Sequence, residues 1–434
     1  VREAPNRSRP GIWDWIAILT AGDGLDLGRS VFIDAPSDIR EAAVPRQPHV
    51  LFAVAAAASL ALAGCGSIER ADLAGGVAVE QPGPLDLLRY ASSDRAAFLR
   101  WNDVWSAQRA ARQLDGLTIL ALSGGGANGA YGAGLLVGWT ANGSRPQFDA
   151  VTGVSTGALI APLAFLGPSW DAKLTAAYHD PELRRLTQGR LGALARPSLY
   201  SSKPLARIIA RYVDDATLAA VAEEDDRGRR LVVATTDLDR QQGILWDMGA
   251  IARSARAPDD RGAALKLFRQ VLLASASIPG VFPPTLIDPG PGQRTEMHVD
   301  GGVASPFFVV PEAMSFWTPE GRMRPKHFYV IVNGPLNPTF AWTGGGFGSI
   351  MLRAYDTLSR SEVRTQIAAA RSFAERSGAP VSIAWLPEDA ASDPLNFHPD
   401  HLASLFELGR AQAAKSQAFR QTPLTAADSY PPNE

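Results

Sequence analysis

Two apolar runs in this chain of 434 residues end in glycines and pass straight into a helical pattern. The first, LTILAL, is followed by Ser123-Gly124-Gly125-Gly126-Ala127-Asn128-Gly129 and then by the helix-like GAYGAGLLVGW. The second, FDAVTGV, runs through Gly153-Val154-Ser155-Thr156-Gly157 into TGALIAPLAFL, where Pro162 is expected to bend the helix. A continuous apolar run of this length predicts a strand buried on both faces. Further along, RRLVVATTDLDRQQGILWDMG predicts two strands joined near Gln242-Gly243, and AALKLFRQVLLASAS a helix stopped by Pro279. MHVDGG reads as a strand entering a turn, KHFYVIVNG as another buried strand. SEVRTQIAAARSFAERSG and HLASLFELGRAQAAKSQAF are late amphipathic helices. Strands alternating with helices predict an α/β layered sheet.

The N-terminal region carries a different signal. The sole cysteine, Cys65, closes VLFAVAAAASLALAGC. The apolar part is too short to cross about 30 Å of hydrocarbon as a helix, which takes roughly 20 residues. It follows Arg46, ends in small residues and has the length of a signal-peptide core. Leu62-Ala63-Gly64-Cys65 resembles the lipobox of bacterial lipoproteins, which implies cleavage before Cys65 and lipidation of it. Gly66 follows rather than Asp, which by the same resemblance implies the outer membrane. The expected organisation is residues 1–43 upstream of the true start, 44–64 signal peptide, 65–92 a Gly/Pro-punctuated tether, 93–425 one catalytic domain and 426–434 a tail. One cysteine excludes an internal disulfide and a Cys/His metal cluster. A net charge of −2 gives no electrostatic case for nucleic acid.

Three motifs carry chemistry. Ser155, on a sharp strand-to-helix turn between Gly153 and Gly157, is the candidate nucleophile. Consecutive glycines at 124–126 let backbone N–H groups converge on one point, as an oxyanion hole requires. Gly124, Gly126 and Gly129 also satisfy the dinucleotide fingerprint G-x-G-x-x-G, with Asp149 about 20 residues on. Asp149, however, opens its strand, whereas a ribose-binding acid closes one. Asp300, at the end of a strand and followed by Gly301 and Gly302, is the candidate proton acceptor; by itself Asp-Gly also reads as a structural turn. Partial burial would raise its pKa and make it the better base.

SGGGANGAYGAGLL, GVSTG, ASASIPGVFPP and DGG stand in the order and setting found in patatin-like lipid acyl hydrolases, which the chain resembles from about Leu117 to Pro311. The resemblance implies a three-layer α/β/α sandwich around a mostly parallel central sheet, and a Ser155–Asp300 dyad without a histidine. It also implies an oxyanion hole of Gly124, Gly125 and Gly126, no metal or other cofactor, and a phospholipid or other acyl-lipid substrate. One position departs: Asn128 stands where the family usually has Arg or Lys. Two other readings stay open. Ser155, Asp300 and His398 or His401 have the chain order of an α/β-hydrolase triad, although NFHPDHLASL reads as a helix entry capped by Asp400. A lipid-anchored scaffold without turnover is the other.

Overall fold

The computed structural model describes residues 68, 70, 83–188, 198–290, 294–312, 323–338, 340–415 and 418–420. The segments expected as signal peptide and tail, Cys65 and most of the expected tether lie outside them.

Strand β1 (Arg89–Ala91) and helix α1 (Arg95–Ala111) lead into β2 (Leu117–Leu122), α2 (Gly129–Ala141), β3 (Ala150–Val154) and α3 (Thr156–Leu166). Next come α4 (Asp171–Tyr178), α5 (Lys203–Tyr212), α6 (Asp215–Asp226), and the pair β4 (Arg230–Asp237) and β5 (Gln242–Asp247). They are followed by α7 (Met248–Ser254), α8 (Arg261–Ser275), β6 (Thr285–Ile287), β7 (Glu296–Asp300), β8 (Pro325–Val332), α9 (Phe347–Ser377), β9 (Val381–Trp385) and α10 (Pro399–Ala414). Among the described residues nine strands form one sheet, in the order β1-β5-β4-β3-β2-β8-β9, with β7 paired to β4 and β6 to β7. The central run β4-β3-β2-β8-β9 is parallel; β1, β5, β6 and β7 join antiparallel.

The period of two along each strand divides the core. In β2, Leu120 and Leu122 pack with Tyr131 of α2, Phe165 of α3, Phe268 of α8 and Phe406 of α10. Ile119 and Ala121 point the other way, into a core with Trp105 of α1 and Ile367 and Phe373 of α9. Helices therefore cover both faces of a mostly parallel sheet, the expected three-layer α/β/α sandwich.

Two details differ from the sequence reading. The β4–β5 turn occupies residues 238–241, because Gln241 itself takes the left-handed conformation at φ 53°; Gln242 and Gly243 already belong to β5. His398, not Asp400, caps α10, accepting at Nδ1 from the Asp400 N–H at 3.4 Å. Helix α3 is continuous across Pro162.

Candidate active site

Strand β4 acts as a ruler for the site. Its first half pairs with β3, ending at Val154 opposite Ala234. From the next residue the same edge pairs with β7, arriving from the opposite direction, and Thr235 lies opposite Asp300. The end of β3, where Ser155 begins its turn, and the end of β7, where Asp300 sits, thus meet beside consecutive residues of one strand. Ser155 Oγ donates to Asp300 Oδ2 at 2.5 Å, with both residues buried.

The turn at Ser155 is strained and braced. Ser155 has φ 56° and ψ −125°, a region that costs a non-glycine residue about 1–3 kcal/mol and persists only when its surroundings impose it. Its N–H donates to Ser275 Oγ at 3.0 Å, and Ser275 Oγ donates to the Ala234 carbonyl at 2.6 Å. The serine of ASASIPG therefore ties the turn to β4, a role that the motif alone did not reveal. Gly157 is required by close approach: a Cβ there would sit 2.4 Å from the Leu122 carbonyl oxygen. Gly153 and Gly129 are packed as tightly, against the Gly157 carbonyl and Thr156 Oγ1.

Asp300 is 1% exposed, and burial pushes its carboxyl up to about 7 against hydrogen bonds from Ser155 and from the Gly302 N–H, which pull it down. The Gly302 N–H reaches Oδ1 at 2.7 Å. The main chain of Asp300 is fixed as well, its N–H donating to the Ser277 carbonyl and its carbonyl accepting from Thr236 Oγ1 at 2.9 Å. Gly301 lies against the Ala234 carbonyl.

The Gly124–Gly126 loop faces this pair. A Cβ on Gly124 would lie 3.1 Å from Ser155 Cβ. The Gly124 N–H donates to the Pro306 carbonyl at 3.0 Å, so the loop's uncommitted main-chain donors are those of Gly125 and Gly126. Gly126 has φ 58°, open to glycine without strain. Asn333, at the end of β8, anchors the loop's root, its N–H donating to Ser123 Oγ and its Nδ2 to the Ser123 carbonyl. Asn128 is buried and donates to Ser392 Oγ at 2.9 Å.

Ser155 stands where two cavities meet. A cleft of about 370 Å³ contains Gly124–Gly126, Ser155 and Asp300 and is walled by Asn333, Arg353 and Tyr355. On the other side a narrower space of about 90 Å³ is lined by Leu159, Leu163, Leu205, Ile208 and Phe282. Gly126, Ser155 and Ile278 border both.

The remaining candidates are occupied elsewhere. Asp149 accepts from Arg109 and from the Thr118 N–H at the N-terminal end of the sheet, away from the glycine loop that a dinucleotide would need. The hydrogen bonds of Ser155 and Asp300 involve no histidine. His298 is buried between Thr235 Oγ1 and Glu296 Oε2, at 3.0 Å from each. The group that could hold a metal among the described residues is Asp237, Glu296 and His298, with ligand atoms within 4.8 Å of one another. Its carboxylates are already neutralised: Arg89 and Arg240 pair with Glu296, and Arg240 with Asp237. Burial would raise the Glu296 carboxyl, but hydrogen bonds from His298 and Arg89 hold it well below its ordinary range. It is a satisfied ion-pair network behind the β7 strand.

No curated protein sequence matches the chain. Among solved structures it is similar to the crystal structure of VipD from Legionella pneumophila, at 12% identity over 70% of this chain and 67% of that one, with a TM-score of 0.30. Residues 120–312, which include Ser155, Asp300 and the whole glycine loop, match the family model of patatin-like phospholipases.

Proposed function

We propose that the protein hydrolyses acyl esters of phospholipids or neutral lipids through a Ser155–Asp300 dyad. The observation that carries this reading is the 2.5 Å hydrogen bond from Ser155 Oγ to a buried carboxylate, set beside two uncommitted N–H groups and at the junction of a narrow apolar space and a wider cleft. A carboxyl raised to about 7 by burial holds a proton far better than an exposed aspartate. As Ser155 Oγ attacks the ester carbonyl, Asp300 takes its proton, and the N–H groups of Gly125 and Gly126 receive the developing oxyanion. Gly124 contributes by holding the loop against Ser155. The proton passes to the leaving alcohol, which departs from the wider cleft. The acyl chain stays in the apolar space as an ester of Ser155. Water, deprotonated by Asp300, then releases the fatty acid and restores the hydroxyl.

This reading takes residues 93–425 as one catalytic domain needing no metal or other cofactor. It assigns Cys65 as the lipidated residue of an outer-membrane protein, on the strength of the LAGC run. The test is hydrolysis of phospholipid and p-nitrophenyl esters by the parent, Ser155→Ala, Asp300→Asn and His398→Ala/His401→Ala. Loss in the first two variants alone is the expected result. Equal loss in the histidine variant, with its fold intact, would replace the dyad by a triad. A parent that neither turns over esters nor labels with a fluorophosphonate would leave a lipid-anchored scaffold.

A further inference from the structure

The mouth of the cleft carries an apolar surface that the chemistry does not use. Phe340, Trp342, Ile350, Met351 and Leu358 are large apolar side chains exposed to solvent within one short span, Phe340 at 93% and Trp342 at 90%. The same span walls the cleft that holds Ser155: Trp342, Ser349, Leu352, Tyr355 and Ser359 line it. The first turns of α9 are therefore two-sided. Leu352, Tyr355 and Ser359, at spacings of three and four, face the cavity. Ile350, Met351, Ala354 and Leu358 face outward. Leaving so much large apolar surface in water is unfavourable in proportion to its area and is uncommon on a surface that meets only water.

We propose that this rim is a membrane-docking surface, which sinks its apolar side chains into the interfacial layer of a phospholipid bilayer and opens the cleft onto it. The proposal rests on the acyl-hydrolase reading. It names a lipid surface rather than a protein because of where the patch lies. A protein partner or a second copy seated on the rim would cover the opening through which substrate reaches Ser155. A bilayer covers the rim and also supplies the molecule that enters. Tryptophan suits such a position, with an apolar body and a polar N–H that settle at the headgroup level. No described helix is long and apolar enough to cross a membrane, so the contact is one of side chains at the surface.

The experiment uses the mature chain, residues 65–434, carrying Cys65→Ser, to remove any acyl anchor, and Ser155→Ala, so that lipid is not consumed. Binding to large unilamellar vesicles of phosphatidylcholine and phosphatidylglycerol is read by sedimentation. Adding Phe340→Ser, Met351→Ser and Leu358→Ser, none of which lines the cleft, is expected to weaken partitioning by at least about tenfold. With Ser155 restored, the same triple variant should hydrolyse monomeric p-nitrophenyl butyrate within about twofold of the parent, which shows that its fold is intact. Vesicles should also shift the fluorescence of the parent to the blue by more than that of Trp342→Phe. Unchanged vesicle binding in the triple variant overturns the proposal. So does a concentration-dependent dimer that the three substitutions disperse, since a second copy would then own the rim. Because binding is read without turnover, its loss in the triple variant supports the surface even if the intact chain hydrolyses no ester, a result that would sink the hydrolase reading alone.

Discussion

Replacing Asp300 by Asn is expected to cost activity and to stabilise the fold above neutral pH. The carboxyl is 1% exposed, and burial raises its pKa from the ordinary 3.8 to about 7. A carboxyl raised in this way keeps its proton in the folded chain after the unfolded chain has released its own. Its contribution to stability is therefore fully present below about pH 4, lost progressively as pH rises to about 7, and constant beyond. At about 1.4 kcal/mol for each pH unit, the interval from 3.8 to about 7 amounts to about 4 kcal/mol. Asn keeps the shape and still accepts from the Gly302 N–H, but it cannot ionise. Urea unfolding of the two full chains should show a gap near zero at about pH 4 that grows to about 2–4 kcal/mol in favour of Asp300→Asn at about pH 8. The other titrating groups are common to both chains and cancel in the difference. Ester hydrolysis by the variant should fall by about a hundred- to ten-thousandfold. A gap that stays flat across the pH range, or a variant less stable than the parent at about pH 8, would refute the argument that the site is held at a cost to the fold.

Ser155→Ala should lose both ester hydrolysis and fluorophosphonate labelling, with kcat/KM down at least about a thousandfold; a labelled variant would move the nucleophile elsewhere. The parent's kcat/KM should rise with pH through an apparent pKa of about 7 as Asp300 loses its proton; a profile level from about pH 5 to 8 would contradict a buried aspartate base. Gly126→Ala puts a Cβ 2.2 Å from the Pro394 carbonyl oxygen at a residue with φ 58°. It should lower kcat by about a hundred- to a thousandfold and stability by about 1–3 kcal/mol in thermal or urea melts. His398→Ala removes a long capping contact at the start of α10 and an exposed pairing with Asp400 at 3.6 Å. Its unfolding free energy should fall by less than about 1 kcal/mol, with kcat/KM within about twofold of the parent.

The site was legible in the sequence where local geometry makes a residue type compulsory. The glycines around Ser155 and in the 124–126 loop are such positions, since a side chain at Gly125, Gly126, Gly153 or Gly157 would meet backbone oxygen and one at Gly124 would crowd Ser155. The central strands were legible for a related reason: β2 and β3 are buried on both faces and so apolar apart from Thr118 and Thr152. What escaped depends on non-local pairing. β1 and β6 are short, of 3 residues each, and no periodicity develops in so few. The bracing by Ser275 and Asn333 joins residues more than a hundred positions from Ser155 and Ser123, and nothing in the local sequence of either marks it. The dinucleotide reading of the glycine loop was already disfavoured by Asp149 opening its strand, and the structure adds that Asp149 is tied to Arg109 at the far end of the sheet.

The shared edge of β4 also bears on how this fold could be re-engineered. Ser155 and Asp300 are 145 residues apart in the chain, yet their spacing is measured along two adjacent positions of a third strand. Insertions in the connections after α3 or before β7, even of a whole binding module, leave that measure untouched. One extra residue between Ala234 and Thr235 would separate the two ends by about 3.3 Å, the rise of a single strand residue, and would part the serine from its base. Tolerance to lengthening and intolerance to a bulge should thus lie within a few residues of each other, and an insertion scan across 228–242 would map that border.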